Sequence, residues 1–295
     1  MSNVQAIRKP ANVLSRYLSL VKFSHTIFAL PFALIGFTLA VAREPGSFRW
    51  YLLVLMLLCM VFARSAAMAF NRYLDRRFDA LNPRTAQREV PAGLIKPGHA
   101  LLFTIVNCVL FVTVTYFINR ICFYLSPVAL FVVLFYSYTK RFTALCHLVL
   151  GLGLSLAPIG AFLTVTGYFS WLPLLFSFAV ITWVSGFDII YAMQDEDFDR
   201  SQQLHSIPAA LGKKGALAVS TLLHVLSALF VITAGYLGHF GVLYWAGVAV
   251  FAGLLIYQHL LVKPHDLSKV NIAFMTTNGI ASIVFAVFVI ADLLV

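Results

Sequence analysis

Charge is the scarcest thing in this sequence. Only 11% of its 295 residues are charged, and just 11 of them are Asp or Glu. A hydrophobic share of 61% is more than a soluble domain of this length can hide. The mean hydropathy of +0.90 therefore excludes a soluble globule and implies a polytopic membrane protein. Cysteine is scarce too. Cys59, Cys108, Cys122 and Cys146 lie in or beside apolar runs and none forms a C-x-x-C, which argues against a disulfide framework or a zinc site. The eight histidines show no H-E-x-x-H or related ligand spacing, so a structural zinc site is not expected. His25 and His205 flank the charged stretches described below and read as hydrogen-bonding structural residues.

What the sequence has in abundance is apolar runs of about 20 residues, the length that crosses a bilayer as a helix. Nine such runs lie near 23–42, 50–70, 98–118, 121–139, 147–166, 171–191, 215–235, 240–261 and 271–293. The expectation is an all-α membrane bundle, one unit over residues 1–295, with antiparallel neighbours joined by short loops. The first run ends in Ala40-Val41-Ala42, faintly like a signal-peptidase site. It is longer than a signal segment, so it reads as a retained span. Of the 21 basic residues, Arg43, Arg49 and Arg120 fall on one side and Arg64 lies inside a run. The others all fall on the opposite side, which the positive-inside rule assigns to the cytoplasm, with the N-terminus. This asymmetry accounts for the net charge of +10 without a nucleic-acid partner. It also predicts an inner-membrane location with the C-terminus outside.

The few acidic residues are clustered. Residues 71–96 read NRYLDRRFDALNPRTAQREVPAGLIK. Asn71, Asp75 and Asp79 recur every four residues and stay within about 80° of one another on a helix, forming one face of oxygen ligands. A second such face is Tyr191, Asp195 and Asp199. The pattern D-x-x-F-D starts at Asp75 and again at Asp195, and P-A-x-L starts at Pro91 and again at Pro208, a weak internal repeat. Both copies fall on the basic side. Two carboxylates about 6 Å apart repel by roughly 3 kcal/mol at an effective dielectric near 20. Protonation or a cation must relieve that. Hard oxygen donors suit Mg²⁺, which keeps waters and is completed by substrate phosphates. Neighbouring Arg and Lys then fit a diphosphate. The plainer reading of each motif is a solvated helix end with local ion pairs.

N-x-x-x-D-x-x-x-D at Asn71, Asp75 and Asp79 with NPRTAQREVPAG at 82–93, YSYTKRFT at 136–143, and YAMQDEDFD at 191–199 with LHSIPAALG at 204–212 resemble the UbiA superfamily of intramembrane prenyltransferases. The likeness spans nearly the whole chain and is nearest the branch named for 4-hydroxybenzoate polyprenyltransferase. DALNPRT and LHS-x-P look like members placed in menaquinone synthesis through 1,4-dihydroxy-6-naphthoate. Ubiquinone-type members more often carry R-P-L-x-S-G where this chain has Glu89-Val90-Pro91-Ala92-Gly93, and D-D-x-x-x-G where it has Phe198-Asp199. The resemblance implies nine helices around a central cavity. It implies that Asn71, Asp75, Asp79, Asp195 and Asp199 hold Mg²⁺ on the diphosphate of a polyprenyl donor. Lys140, Arg141 and Arg88 would then balance the leaving diphosphate while the ring of a small aromatic acid attacks the allylic cation. Tyr136, Tyr138 and Tyr191 could face that cation, although interfacial packing is an equal reading for each.

Lys22, just before the first run, could meet an acceptor carboxylate or simply anchor the interface. Arg64 and Asp188 lie inside apolar runs, where charge is expensive and faces a cavity or a partner. They could form a structural pair, or Asp188, seven residues before Asp195, could serve the site. Two other functions predict different patterns. A CDP-alcohol phosphotransferase needs D-G-x-x-A-R just upstream of its acidic motif, which is missing here. A transporter or channel predicts ionisable residues along a path through the bilayer, whereas these charges gather at one face.

Overall fold

The computed structural model describes residues 12–21 and 23–295, with the side chains at 13, 14 and 23–25 left aside. Among these residues nine helices are long and apolar enough to cross a membrane. The chain runs as α1 (Val13–Val21), a 3₁₀ segment (Phe23–Phe28), α2 (Leu30–Arg43), α3 (Trp50–Leu74), α4 (Arg76–Leu81), α5 (Pro97–Ile118), α6 (Arg120–Thr139) and α7 (Cys146–Thr166). It continues as α8 (Trp171–Ala192), a 3₁₀ turn (Met193–Asp195), α9 (Glu196–Ser201), α10 (Ile207–Gly238), α11 (Val242–Leu261), a π-helical turn (Ile272–Thr277) and α12 (Asn278–Leu294). The expected spans match these helices with two differences. The α-helix of the first span begins only at Leu30, because Pro31 suits the first turn of a helix and not its interior. The seventh begins at Ile207, eight residues before the apolar run at 215. The Ser206 hydroxyl accepts from the Ala209 N–H and starts it as an N-cap. Gly212, at φ 68°, lets the axis break there, and Lys213 and Lys214 extend the helix into the polar zone, where hydropathy does not see it.

The bundle closes around α8. Along it Phe176, Val180, Trp183, Val184, Ile189 and Ile190 are fully buried, so the helix is hydrophobic all round, as a central membrane helix must be. It packs between α7 and α10, while α11 and α12 carry the bundle round to α2, which lies on α7. The α2–α7 approach is very close: a Cβ on Gly36 would stand 2.1 Å from the Pro158 carbonyl oxygen. On the other flank α3, α5 and α6 pair with one another. Between that group and α7 lies a cavity of about 410 Å³. Its wall is almost wholly apolar, from Met56, Leu125 and Val132 to Leu163 and Phe169, with Arg64 and Tyr136 among its few polar residues.

The π turn is built by Asn278. Its amide donates to the Ala273 and Phe274 carbonyls at 2.9 and 3.1 Å and its oxygen accepts from Trp183 Nε1 at 2.9 Å. Backbone acceptors displaced from α-geometry are thus satisfied inside the bundle.

The Gly36 contact is with backbone, which cannot swing aside. Gly36→Val is expected to lower stability in detergent by about 1–3 kcal/mol, the usual cost of overpacking. Gly253→Ala, where a Cβ meets nothing within 4 Å, is the control. Equal melting temperatures for the two variants would refute the close approach.

Candidate active site

The first acidic strip forms where α3 runs out of apolar sequence. Asp75 leaves helical geometry at φ −87°, ψ 3°, so the continuous face expected over Asn71, Asp75 and Asp79 is broken there and α4 sets off as a separate turn. The Asp79 N–H still donates to the Asp75 carbonyl at 2.8 Å, which keeps the second aspartate near the first. Pro83 ends α4, since the residue before a proline is driven into extended backbone, and Asn82 takes φ −90°, ψ 117°. The second strip repeats the device. Asp195 has φ −104°, ψ 5°, between the end of α8 and the six-residue α9.

Between the strips lies the loop after α4. The Asn82 oxygen accepts from the Arg84 N–H at 2.9 Å, an Asx turn, and its amide donates to Asp195 Oδ1 at 3.0 Å. Arg84 forks onto Asp195: Nε donates to Oδ1 at 2.9 Å and a terminal nitrogen to Oδ2. The other terminal nitrogen donates to the Tyr191 hydroxyl at 3.1 Å. This fixed fork is the geometry in which arginine holds a carboxylate most firmly. Neither Asn82 nor Arg84 stood out in the sequence as a site residue. The signal available was the N-P-R turn, which presents both side chains to one neighbour.

Each remaining aspartate has its own cation. Asp75 accepts from Arg141 at 3.0 Å and from the Asn71 amide at 2.9 Å. Asp79 accepts from Arg88 at 2.8 Å, and Lys140 stands 3.7 Å from Asp199. Four aspartates thus meet Arg84, Arg88, Lys140 and Arg141 at one end of the bundle. Repulsion among the carboxylates is relieved by the chain's own basic side chains. Among the described residues no three His, Cys, Asp or Glu side chains stand ready as a metal cage. Burial pushes the Asp75 carboxyl above its ordinary range, against the pull of Lys140 and Arg141. Burial also opposes the charge on Arg84, but its bonds to Asp195 hold that group above its ordinary value.

The other predicted residues scatter around this strip. Tyr136 lines the cavity. Tyr138, two residues on, faces away from it, packing on Phe70 at 5.8 Å and under the Arg141 guanidinium at 5.4 Å. A shift of two residues turns a helix by about 200°. Tyr191 stacks on Phe274 of the π turn at 4.2 Å, with Arg84 over its ring at 5.2 Å. Asp188 pairs with His147 at 2.7 Å, in place of the Arg64 partner the sequence suggested. Arg64 lines the cavity. The His205 N–H donates to the Lys140 carbonyl at 2.6 Å, tying the two basic loops together. Lys22 and the side chain of His25 lie outside the described residues.

The chain that carries this arrangement is similar to known proteins. Residues 29–280 match the UbiA prenyltransferase family. The chain belongs to that family. A 4-hydroxybenzoate octaprenyltransferase of Tolumonas auensis is 33% identical over 159 residues. That match covers 54% of this chain and 56% of the relative, so the chain spans little more than half the length of this curated relative. The apo structure of a UbiA homolog from Aeropyrum pernix K1 superposes with a TM-score of 0.78 at 31% identity, over 92% of this chain and 97% of that one. A UbiA homolog from Archaeoglobus fulgidus bound to GPP and Mg²⁺ shares the fold, with a TM-score of 0.74 at 20% identity over 95% of this chain and 100% of that one.

Arg84, from the loop that follows the first strip, holds Asp195 of the second in a fork. Arg84→Lys keeps the charge and loses the fork. It is expected to lower turnover by roughly tenfold or more, equivalent to about 1.4 kcal/mol, with melting little changed. Wild-type turnover in this variant would show that the bridge does not position Asp195.

Proposed function

We propose that the chain transfers a polyprenyl group from polyprenyl diphosphate to the ring of a small aromatic hydroxy acid, in a Mg²⁺-dependent step of respiratory quinone synthesis. The observation that carries this reading is the juxtaposition of the charge strip with the cavity. Met68 lines the cavity and lies on α3 seven residues before Asp75, two turns of helix along the same face. An anionic head and an apolar tail are thereby accommodated end to end. The family, the name of the Tolumonas relative, and the GPP and Mg²⁺ in the Archaeoglobus homolog support it.

The donor set suits Mg²⁺. Asp79 Oδ2 and Asp199 Oδ1 are buried without a hydrogen-bond partner, and Lys140 at 3.7 Å from the latter is beyond hydrogen-bonding range. One free hard oxygen on each strip is what a bridging cation needs. Asn71, Asp75, Asp79, Asp195 and Asp199 would hold it. When bound, the ion neutralises the leaving diphosphate and weakens its bond to the allylic carbon. Arg84, Arg88, Lys140 and Arg141 exchange their carboxylates for diphosphate oxygens, so the charge balance survives binding. Tyr136, at the cavity wall, presents a ring to the allylic cation. The one-sided basic residues support a reading in which this chemistry lies at the cytoplasmic face of the inner membrane, with residues 1–295 as a single unit.

Because Asp75, Asp79, Asp195 and Asp199 each already face a basic side chain, Mg²⁺ alone is expected to shift the melting temperature little, and Mg²⁺ with a prenyl diphosphate to shift it strongly. Turnover is measured in membranes with labelled polyprenyl diphosphate and either 4-hydroxybenzoate or 1,4-dihydroxy-6-naphthoate. Product with one acceptor assigns the pathway. Asp75→Asn and Asp195→Asn should each abolish turnover with folding retained. Full Mg²⁺-dependent activity in either variant, or no diphosphate release from folded wild type, would sink the reading.

A further inference from the structure

Beneath the charge strip sits a second polar pair that the ion-pair exchange does not use. His147 lies in the first turn of α7 and is 3% exposed. Its Nδ1 is 2.7 Å from Asp188 Oδ2, and its Nε2 faces the Ile207 backbone N–H at 3.4 Å. The imidazole Nδ1 proton is donated to Asp188 Oδ2. Ser185 donates to the His147 carbonyl at 3.0 Å, which locks α7 onto α8.

Asp188 is placed unusually. Its neighbours Phe187 and Ile189 are 3% and 0% exposed, yet its own side chain is 23% exposed. Oδ2 is spent on His147, and no hydrogen bond to Oδ1 is made among the described residues. Asp188 is three residues before Tyr191 and seven before Asp195, so it shares their face about 10 Å deeper along the axis. A carboxylate inside a span is costly and calls for a function. The titratable and charged groups around the pair are Cys146 beside His147 on α7, Tyr136 from α6, Tyr191 on α8, and Asp199 on α9.

Building on the prenyl-transfer reading, we propose that Asp188 is the proton acceptor for the aromatic substrate and that His147 is the residue that positions it. Ring alkylation forms a bond between the allylic carbon and a ring carbon and breaks the bond from the allylic carbon to the diphosphate oxygen, whose electron pair leaves with the diphosphate. The substituted ring carbon then loses its hydrogen as a proton. The C–H electron pair restores the aromatic ring, and the proton passes to Asp188 Oδ1. His147 holds the carboxylate in one orientation by donating to its other oxygen.

The test measures aromatic product and released diphosphate together, across pH, in wild type, Asp188→Asn, His147→Leu and His147→Gln. Asp188→Asn should lower the ratio of aromatic product to released diphosphate by about 100-fold, the lower range for removal of a general base. His147→Leu removes the donor that fixes the orientation of the carboxylate, so it should lower the same ratio. His147→Gln, whose amide can donate in place of Nδ1, should restore it. An unchanged product ratio in Asp188→Asn overturns the proposal. So does equal loss of product and diphosphate release in Asp188→Asn and His147→Gln, which would make the pair a structural clip. Wild type that releases diphosphate but prenylates neither aromatic acid overturns the acceptor half of the function above, and this proposal with it.

Discussion

Carboxylates gathered at the end of an apolar bundle cannot stay together without counter-charge, and most of the site follows from how that charge is supplied. Arg84, Lys140 and Arg141 each come from a loop that closes one group of helices and find an aspartate on another segment, while Arg88 folds back onto Asp79 of its own connection. Pairing charge is therefore also pairing loops. The α4 loop reaches α8 through Arg84, and the end of α6 reaches α3 and α9 through Arg141 and Lys140. Exposed ion pairs are individually weak. These are partly buried, and removing one partner would strand the other.

The rest of the bundle keeps that end open while sealing the remainder. α8 carries core on every side, then Asp188, Tyr191 and Asp195 on one face as it emerges. α3 does the same with Arg64, Met68 and Asn71. Between them the wall of α5, α6 and α7 stays apolar. The separation of the charged end from the apolar cavity is thus a property of two helices running from lipid into water.

Much of this was legible in the sequence, for physical reasons that also mark its limits. The nine spans stood out because a bilayer demands long apolar runs, and boundaries slipped only where Pro31 or Ser206 with Lys213 and Lys214 decided them. The four-residue spacing of Asn71, Asp75 and Asp79 placed three oxygens together. It could not show the break at Asp75, where one residue's ψ near 0° redirects the strip. Arg84 was hidden because its role depends on a contact 111 residues away. The partner of Asp188 was hidden for a related reason: two charges in apolar runs suggest each other as one alternative, whereas His147 lies 41 residues away in the chain. Tyr136 and Tyr138 read alike in one dimension and part company on a helix.

The π turn at 272–277 gives the last helix an unusual hold on the site. Phe274 stacks on Tyr191 only because the backbone is wound one residue wider there, with Asn278 steadying the loosened carbonyls. Winding is countable in residues. Deleting one residue within the turn would return it to α-helical pitch and swing Phe274 by about 100° about the axis, while barely altering the apolar character of the span. The segment thus encodes its link to the charged end in length rather than in chemistry. A comparison of homologous sequences by composition alone would pass over it, and an alignment gap of a single position would mark its loss.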